Sequence, residues 1–161
     1  MADIRPFQGI RYNEHLGIDL GQLLCPPYDV ISPTLQKQLY ETNPYNIVRL
    51  ELGKDVEADS DTDNKYTRAS TLLNSWVSDR IMVNEGEPAY YLIEEEFLHL
   101  GTPKKRYSLL AKVRLEEFSS GVILPHEETS PGPKADRLNL LNATKANMSP
   151  IMALYRSQSN H

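Results

Sequence analysis

"NKYTRASTLLNSWVSDR", residues 64–80, predicts a helix and is the clearest structural signal in the chain. Its apolar residues recur at helical spacing on one side, at Tyr66, Ala69, Leu72, Leu73, Trp76 and Val77. A helix with one apolar face packs that face against the rest of the protein. We therefore expect Trp76 in the core and not on a ligand platform, since buried aromatic rings contribute mainly through their large apolar area.

Two further elements are predicted before this helix. In "SPTLQKQLYETNP", residues 32–44, Ser32 is a typical N-cap and Pro33 suits the first helical position, so a short helix is expected that ends before Pro44. "NIVRLEL", residues 46–52, is rich in branched residues and predicts a strand. Arg49 and Glu51 would share one face of it. A salt bridge from Arg49 to Glu51 or another sheet residue is favoured over a ligand contact, which stays open.

Strands dominate the region after the helix. Residues 81–118 predict a β-meander in which the turn "GTPKK" joins two long strands. Alternation would place Glu94 and Glu96 on one face and Glu95 on the other, opposite basic residues of the next strand. A further helix is expected over residues 134–148 and a final strand over residues 150–156.

This order of elements predicts an α+β fold, with a mixed, largely antiparallel sheet and about three helices packed on it. We expect a single domain over residues 1–156, followed by a polar tail over residues 157–161. The chain has 161 residues, of which 40% are hydrophobic and 24% charged, as in ordinary folded proteins.

Composition also excludes several classes of function. A net charge of −5 argues against nucleic-acid binding, which normally needs a basic surface. No apolar run approaches the roughly 18 residues that a membrane span needs, and no apolar signal core follows the N-terminus. The single cysteine, Cys25, excludes an internal disulfide and fits a reducing compartment. We therefore expect a cytoplasmic protein with no membrane partner.

"VILPHEETSPGPKADR", residues 122–137, is the strongest candidate for a ligand site. A short strand over residues 121–124 and a proline-rich loop are expected to lead into a helix beginning near Lys134. Helix N-termini bind anions and disfavour cations. Lys134 and Arg137 in the first turn therefore require an anion, which could be Asp136 or an upstream acid, or else a phosphate or carboxylate ligand.

The same loop carries His126 and Glu127, either of which could act as a general base. Neighbours in an extended loop usually point apart, so they do not form an acid–base pair automatically. A metal site would require further ligands at helical or strand spacing, which the loop lacks, and we expect none there.

A second candidate is "CPPYDVISP", residues 25–33, in which prolines fix the backbone around Tyr28 and Asp29. This loop could present a phenol and an acid to a pocket. It could equally be a turn that the Asp29 side chain stabilises. Cys25 is expected to be a small buried hydrophobe.

Five segments together resemble one known family, and they occur in the same order over nearly the whole chain. They are "IRPFQGIRYN", "CPPYDVISP", "NPYNIVRLEL", "YTRASTLLNSW" and "ILPHEETSPGPKADRLNLLNATKANMSPI". The chain is similar to the N-terminal part of the family called domain of unknown function 1015. The last of these segments is long and distinctive.

The resemblance implies an activity for longer members of the family. Downstream they carry an Asp-Gly-His-His-Arg-type motif similar to one in free-serine kinases and in the ParB and sulfiredoxin fold. That implies a cytoplasmic phosphotransferase or nucleotide-binding activity, with a nucleotide and magnesium as cofactors of the full-length protein. The present chain lacks the motif. By this resemblance it is an N-terminal portion, not catalytic alone, whose loop completes a phosphate site with the downstream half.

Three hypotheses follow. In the first, the chain contributes an anion-binding loop to a small-molecule kinase-like enzyme, with His126 and Glu127 near the transferred group. The ligand-binding residues would be Lys134, Asp136, Arg137, Tyr28, Asp29 and Arg49. In the second, it is a regulatory or interaction module of a ParB-like protein. In the third, it is a structural domain whose charged loop is paired internally.

Overall fold

The structure, a computed structural model, describes residues 2–125, 128 and 130–155. It divides into two compact units, Met1–Glu14 with Arg80–Thr129 and His15–Asp79 with Ser130–His161. We call them the strand unit and the helical unit. The described residues form five α-helices and several antiparallel strand pairs, which confirms the α+β fold class. A single domain over residues 1–156 stays a prediction.

The strand unit contains three two-stranded antiparallel pairs in its described residues. The pairs are β1 (Ile4–Arg5) with β6 (Lys112–Val113), β2 (Ile10–Tyr12) with β3 (Met82–Asn84), and β4 (Tyr91–His99) with β5 (Thr102–Leu110). The predicted hairpin around the "GTPKK" turn is therefore present as β4–β5. The predicted meander is wrong at β3, which pairs back to β2 and not forward to β4.

The charges of the β4–β5 hairpin follow the predicted alternation. On one face Lys105 Nζ lies 2.8 Å from both Glu94 Oε1 and Glu96 Oε1. On the other face Arg106 donates to both carboxylate oxygens of Glu95, at 2.7 and 2.9 Å. These pairs are exposed, so each contributes little to stability, but all of them favour the same register of the two strands.

The helical unit is built from α1 (Leu20–Leu23), α2 (Pro33–Thr42), α3 (Val48–Glu51), α4 (Lys65–Ser78) and α5 (Pro131–Thr144). The predicted helices at α2 and α4 are confirmed, and Ser32 caps α2 by accepting the Leu35 N–H. No helix in the described part of the chain is long and apolar enough to cross a membrane.

Helix α4 supplies much of the core. Asn64 caps it in a reciprocal capping box with Thr67, which satisfies two backbone N–H groups at its start. Trp76 is only 2% exposed and contacts the Tyr45 ring edge-on, so the prediction that it belongs to the core is confirmed. The buried core residues of the helical unit are Leu23, Val48, Leu50, Ala69, Leu73, Trp76 and Leu140.

The predicted strand over residues 46–52 is wrong, because its central residues form the short helix α3. The fully buried Asn46 explains the difference. Its Oδ1 accepts the Val48 N–H, and its Nδ2 donates to the backbone oxygens of Gln22 and Leu24. A buried side chain that bonds the local backbone in this way starts a turn and overrides the strand preference of the branched residues that follow.

Two predicted strands are absent from the described residues, and one helix begins earlier than predicted. Residues 121–124 form no strand, since Gly121 has a left-handed φ of 67° at the end of a 3₁₀ turn. Residues 150–155 contain no strand either, and residue 156 lies outside the described residues. Helix α5 begins at Pro131, not near Lys134. Two prolines fit the first turn because N–H groups there have no partner within the helix.

The position of α3 against α1 should depend on Asn46. We expect Asn46→Ala to lower the free energy of unfolding by about 3 kcal/mol, since it leaves two backbone carbonyls and one N–H without their partner. Urea denaturation followed by circular dichroism measures this loss. Asn142→Ala, on the exposed side of α5, is the matched control and should change stability by less than about 0.5 kcal/mol. Equal effects of the two substitutions would contradict this account of α3.

Candidate functional site

Arg137 is the centre of the charged groups in the helical unit. Its Nε and Nη2 donate to Asp136 Oδ2, and Nη2 also donates to the backbone oxygen of Glu51 at 2.8 Å. Its Nη1 donates to Glu51 Oε1 at 3.0 Å and to Ser149 Oγ at 3.5 Å. The guanidinium carbon lies 3.9 Å from the centre of the Tyr28 ring. A guanidinium has five N–H donors, and the five hydrogen bonds to Asp136, Glu51 and Ser149 occupy all of them.

Asp136 accepts hydrogen bonds from two side chains and forms an ion pair with a third. Besides Arg137, the Tyr66 hydroxyl donates to Asp136 Oδ1 at 2.8 Å, and Lys65 Nζ lies 3.6 Å from the same oxygen. Burial alone would raise the pKa of Asp136, but the hydrogen bonds from Arg137 and Tyr66 and the charges of Arg137 and Lys65 outweigh it. The pKa of Asp136 is therefore below its usual value.

Glu51 is the most buried acid of the group, with 8% of its surface exposed. Its Oε1 accepts from Arg137 and, in a short hydrogen bond, from the Ser149 hydroxyl. Its Oε2 is buried and has no hydrogen-bond partner among the described residues. We call Glu51, Lys65, Tyr66, Asp136, Arg137 and Ser149 the Arg137 cluster.

A narrow cleft lies beside the Arg137 cluster. Its lining residues are Leu50, Glu51, Leu52, Gly53, Lys65, Tyr66, Asp136, Arg137 and Leu140. Its free volume of about 10 Å³ is close to the room that one water molecule needs. The cleft can therefore hold a single small polar group and not a whole metabolite.

The structure places the two predicted phosphate-binding cations further along α5 than the sequence predicted. Because α5 begins at Pro131, Lys134 is its fourth residue and Arg137 its seventh, so Arg137 is not in the first turn. The sequence predicted that Arg137 would need an anion nearby. In the structure Asp136 and Glu51 are those anions. Lys134 is exposed. Pro131 and Pro133 have no N–H, so the first turn offers fewer amide donors to an anion than most helices do.

Of the loop pair at residues 28–29, only Tyr28 contacts the Arg137 cluster. Tyr28 stacks on Arg137, whereas Asp29 is exposed. The 3₁₀ turn Tyr28–Val30 is closed by backbone bonds, from the Val30 N–H to the Pro27 oxygen at 3.1 Å and from the Ile31 N–H to the Tyr28 oxygen at 3.4 Å. The turn therefore holds its shape through its backbone, which the flanking prolines predicted.

A salt bridge of Arg49 with Glu51 or another sheet residue was predicted, and none is present among the described residues. Residues two apart on a helix point in different directions, so α3 separates the two side chains that a strand would have placed together. Arg49 Nη2 instead donates to the Tyr40 oxygen at 2.6 Å, with its guanidinium 4.4 Å from the Tyr40 ring centre. Arg49 thus contacts α2 and takes no part in the Arg137 cluster.

His126 and Glu127, the predicted general bases, lie outside the described residues, and their roles stay predictions.

The single cysteine, Cys25, has a raised pKa. Burial, with a smaller contribution from the Glu51 charge, raises the pKa of the Cys25 thiol to about 11. Cys25 is therefore a thiol and not a thiolate at neutral pH, but it is half-buried and not fully buried as predicted.

Sequence reasoning missed Glu51, Lys65, Tyr66 and Ser149 as members of the site. Tyr66 was assigned to the apolar face of α4, yet its hydroxyl reaches Asp136 across 70 positions of sequence. A polar tip on an apolar face was the available signal, because a buried tyrosine hydroxyl usually finds a partner. No local pattern indicated Ser149, whose partner Glu51 lies 98 positions away.

The fold and the site together define an α+β protein with a half-buried charged cluster that links α3, α4 and α5. A family model described as "Protein of unknown function (DUF1015)" matches residues 4–161. The match covers nearly the whole chain, so the chain belongs to this family, as the resemblance predicted. Comparisons with curated proteins and with solved structures found no match.

Arg137 should contribute far more to stability than Lys134. We expect Arg137→Ala to lower the free energy of unfolding by about 3 kcal/mol, because it leaves the buried Glu51 carboxylate without its cation. Lys134→Ala, which removes an exposed cation from the same helix, should change it by less than about 0.5 kcal/mol. Urea unfolding of both variants measures the difference. Similar losses in both would show that the charges of α5 act together and not through Arg137.

The lowered pKa of Asp136 predicts a dependence of stability on pH. A carboxyl whose pKa is lower in the folded than in the unfolded state stabilises above its unfolded value, about pH 4, and loses that effect as pH falls through the folded value. The stability difference between the wild type and Asp136→Asn should therefore be full near pH 6 and shrink below pH 4. Unfolding free energies measured from pH 3 to pH 7 test this. A constant difference over that range would contradict it.

Proposed function

We propose that this chain contributes an anion-binding surface to a kinase-like or nucleotide-binding enzyme, with a phosphate or carboxylate as ligand. One observation carries the proposal: Lys134 is exposed at the start of α5, while Arg137, one turn further on, is fully engaged in holding that helix. Lys134 is then the cation that meets the ligand, and Arg137 is a positioning residue.

The chemistry of phosphate binding supports this division of roles. Phosphoryl transfer depends mainly on positioning and on neutralising charge around the phosphate oxygens. A lysine ammonium is a mobile point charge that suits phosphate, whereas Arg137 would have to give up an existing hydrogen bond for every bond to a ligand. The Arg137 cluster thus supplies the rigid base from which Lys134 acts.

The family relation supplies the rest of the proposal. The resemblance given above implies that longer members are similar to free-serine kinases and ParB-like proteins, so the proposed partners are a nucleotide with magnesium and a downstream part of the same architecture. His126 and Glu127 precede α5 in sequence and are proposed to act near the transferred group. Phosphotransferase activity and a cytoplasmic location belong to this proposal as well.

The alternative, a regulatory or interaction module, is favoured by a different observation. The β4–β5 hairpin exposes large apolar side chains, including Leu92, Leu98, Tyr107 and Leu109. Two-stranded hairpins are marginally stable by themselves, and in the described residues neither strand has a second neighbour. A partner that adds a strand or covers this face would stabilise the hairpin without any anion.

Calorimetric titration with inorganic phosphate and with magnesium–ATP tests the proposal. We expect saturable binding that Lys134→Ala weakens about five-fold, the effect of losing one exposed charge contact of about 1 kcal/mol. Lys37→Ala is the matched control, since Lys37 is also an exposed helical lysine of the helical unit. The proposal would be contradicted if neither phosphate nor magnesium–ATP bound, or if both variants weakened binding equally. The interaction module would then be the favoured function.

A further inference from the structure

The β4–β5 hairpin contributes no buried side chain to the strand unit, since every residue of its two strands is exposed or half-buried. Ile81 and Met82 are the buried apolar residues in the described part of this unit. A sheet of two strands is marginally stable in water, and a third strand or a packed face stabilises it. The hairpin would therefore be stabilised by another strand at one of its edges.

The turn of the hairpin determines which backbone groups of β5 are free. Leu100 and Gly101 have φ angles of 50° and 77°, as in a two-residue type I′ turn, so the flanking residues His99 and Thr102 form a hydrogen-bonded pair. Hydrogen-bonded and non-hydrogen-bonded pairs then alternate along the strands. The backbone groups of β5 that point away from β4 are those of Pro103, Lys105, Tyr107 and Leu109. No strand pairs with this outer edge in the described part of the chain.

The outer edge of β5 is complementary to itself. When two copies of β5 pair antiparallel about a two-fold axis through the centre of the strand, Lys105 lies opposite Tyr107 of the second copy. Pro103 lies opposite Leu109 of the second copy in the same register. The outward backbone groups face each other at these positions, as the ladder requires. A lysine beside a tyrosine ring and a proline beside a leucine are both favourable cross-strand neighbours.

Arg106 lies on the two-fold axis of this pairing and faces Arg106 of the second copy. Each Arg106 already donates to both carboxylate oxygens of Glu95, at 2.7 and 2.9 Å. The two guanidinium groups therefore meet as neutralised ion pairs, and the nearby carboxylates offset their repulsion.

The cross-strand pairs within each hairpin extend these contacts into rows over four strands. An apolar row consists of Leu92, Leu109, and Pro103 and Leu98 of the second copy. A polar row consists of Glu94, Tyr107, and Lys105 and Glu96 of the second copy. The two-fold axis repeats both rows. Leu92 and Leu98 are each 72% exposed in the single chain, so the apolar row covers surface that is otherwise in water.

The outer edge of β4 does not allow the same pairing. About the centre of β4, Glu94 would lie opposite Glu96 of the second copy at two symmetric positions, and Glu95 would face itself. Like charges directly opposite destabilise a sheet, and charged side chains commonly protect an edge strand from unwanted pairing. The three glutamates thus protect the β4 edge and leave β5 as the edge that can pair with its own copy.

We propose that β5 is a dimerisation edge, through which two copies of the chain form a four-stranded antiparallel sheet in the order β4–β5–β5–β4. Addition of β4 from one copy to β5 of the next would also match charges, but it leaves a free edge at every step, whereas the two-fold arrangement closes. The dimer does not depend on the anion contact at Lys134.

Sedimentation velocity of the wild type at rising concentration, up to about 1 mM, tests the dimer, because weak interfaces have dissociation constants in or below this range. We expect the mass to rise from the 18.3 kDa of one chain to twice that value and to stop there. A mass of 18.3 kDa throughout would overturn the proposal. Growth beyond two copies would overturn it as well, since it indicates head-to-tail addition.

A pair of cysteine variants locates the two-fold axis. Both are made with Cys25→Ser, which removes the one native cysteine. In Arg106→Cys the two Cα atoms across the axis form a non-hydrogen-bonded pair about 4.5 Å apart, a distance that a disulfide spans. Glu95→Cys is the matched control, because it removes the other half of the same ion pair on the other strand.

Oxidation of the two cysteine variants by glutathione, followed on non-reducing gels, gives the comparison. We expect Arg106→Cys to form linked dimers about ten-fold faster or more than Glu95→Cys. Equal rates, faster linking of Glu95→Cys, or no linked dimer of Arg106→Cys would overturn the assignment of β5 as the dimer edge. Sedimentation uses the wild type alone, so it decides the matter even where a variant does not fold.

Discussion

The bidentate contact of Arg137 with Glu51 is the constraint on which the helical unit depends. It joins residues 86 positions apart and uses both the side chain and the backbone oxygen of Glu51. The backbone contact fixes the C-terminal end of α3, and the side-chain contact fixes the rotation of α5. Because Arg137 is only 20% exposed, its charge is tolerated only while its acceptors stay in place. The cluster is therefore a set of mutually dependent contacts.

Local features prepare this contact. Gly53 lets the end of α3 approach the start of α4, since a Cβ at this position would lie 3.3 Å from the backbone oxygen of Lys65. Asn46 starts α3, and the Asn64 capping box sets where α4 begins. Lys65 and Tyr66 then lie in the first turn of α4, within reach of Asp136. Each partner is thus positioned by backbone constraints that lie close to it in sequence.

These features also explain how far the sequence predicts the structure. Helices α2 and α4 were predictable because their caps and apolar periodicity lie within a few residues, and the charge pairing of the hairpin followed from alternation. Helix α3 was not, because Asn46 starts it only while its side chain is held by the backbone oxygens of Gln22 and Leu24, more than 20 positions away. Of the candidate site, Asp136, Arg137 and Tyr28 were identified. Their partner Glu51 was considered only as one possible partner of Arg49, because a strand would have placed those two side chains on one face and the helix α3 does not.

A double-mutant cycle on Arg137 and Glu51 tests this central role most directly. The free energy of unfolding is measured by urea denaturation for the wild type, Arg137→Ala, Glu51→Ala and the double variant. If the pair holds α3 and α5 together, the double variant will be more stable than the sum of the two single losses predicts, by about 2 kcal/mol or more. Additive losses, within about 0.5 kcal/mol, would show that each residue acts through other neighbours and would contradict the account.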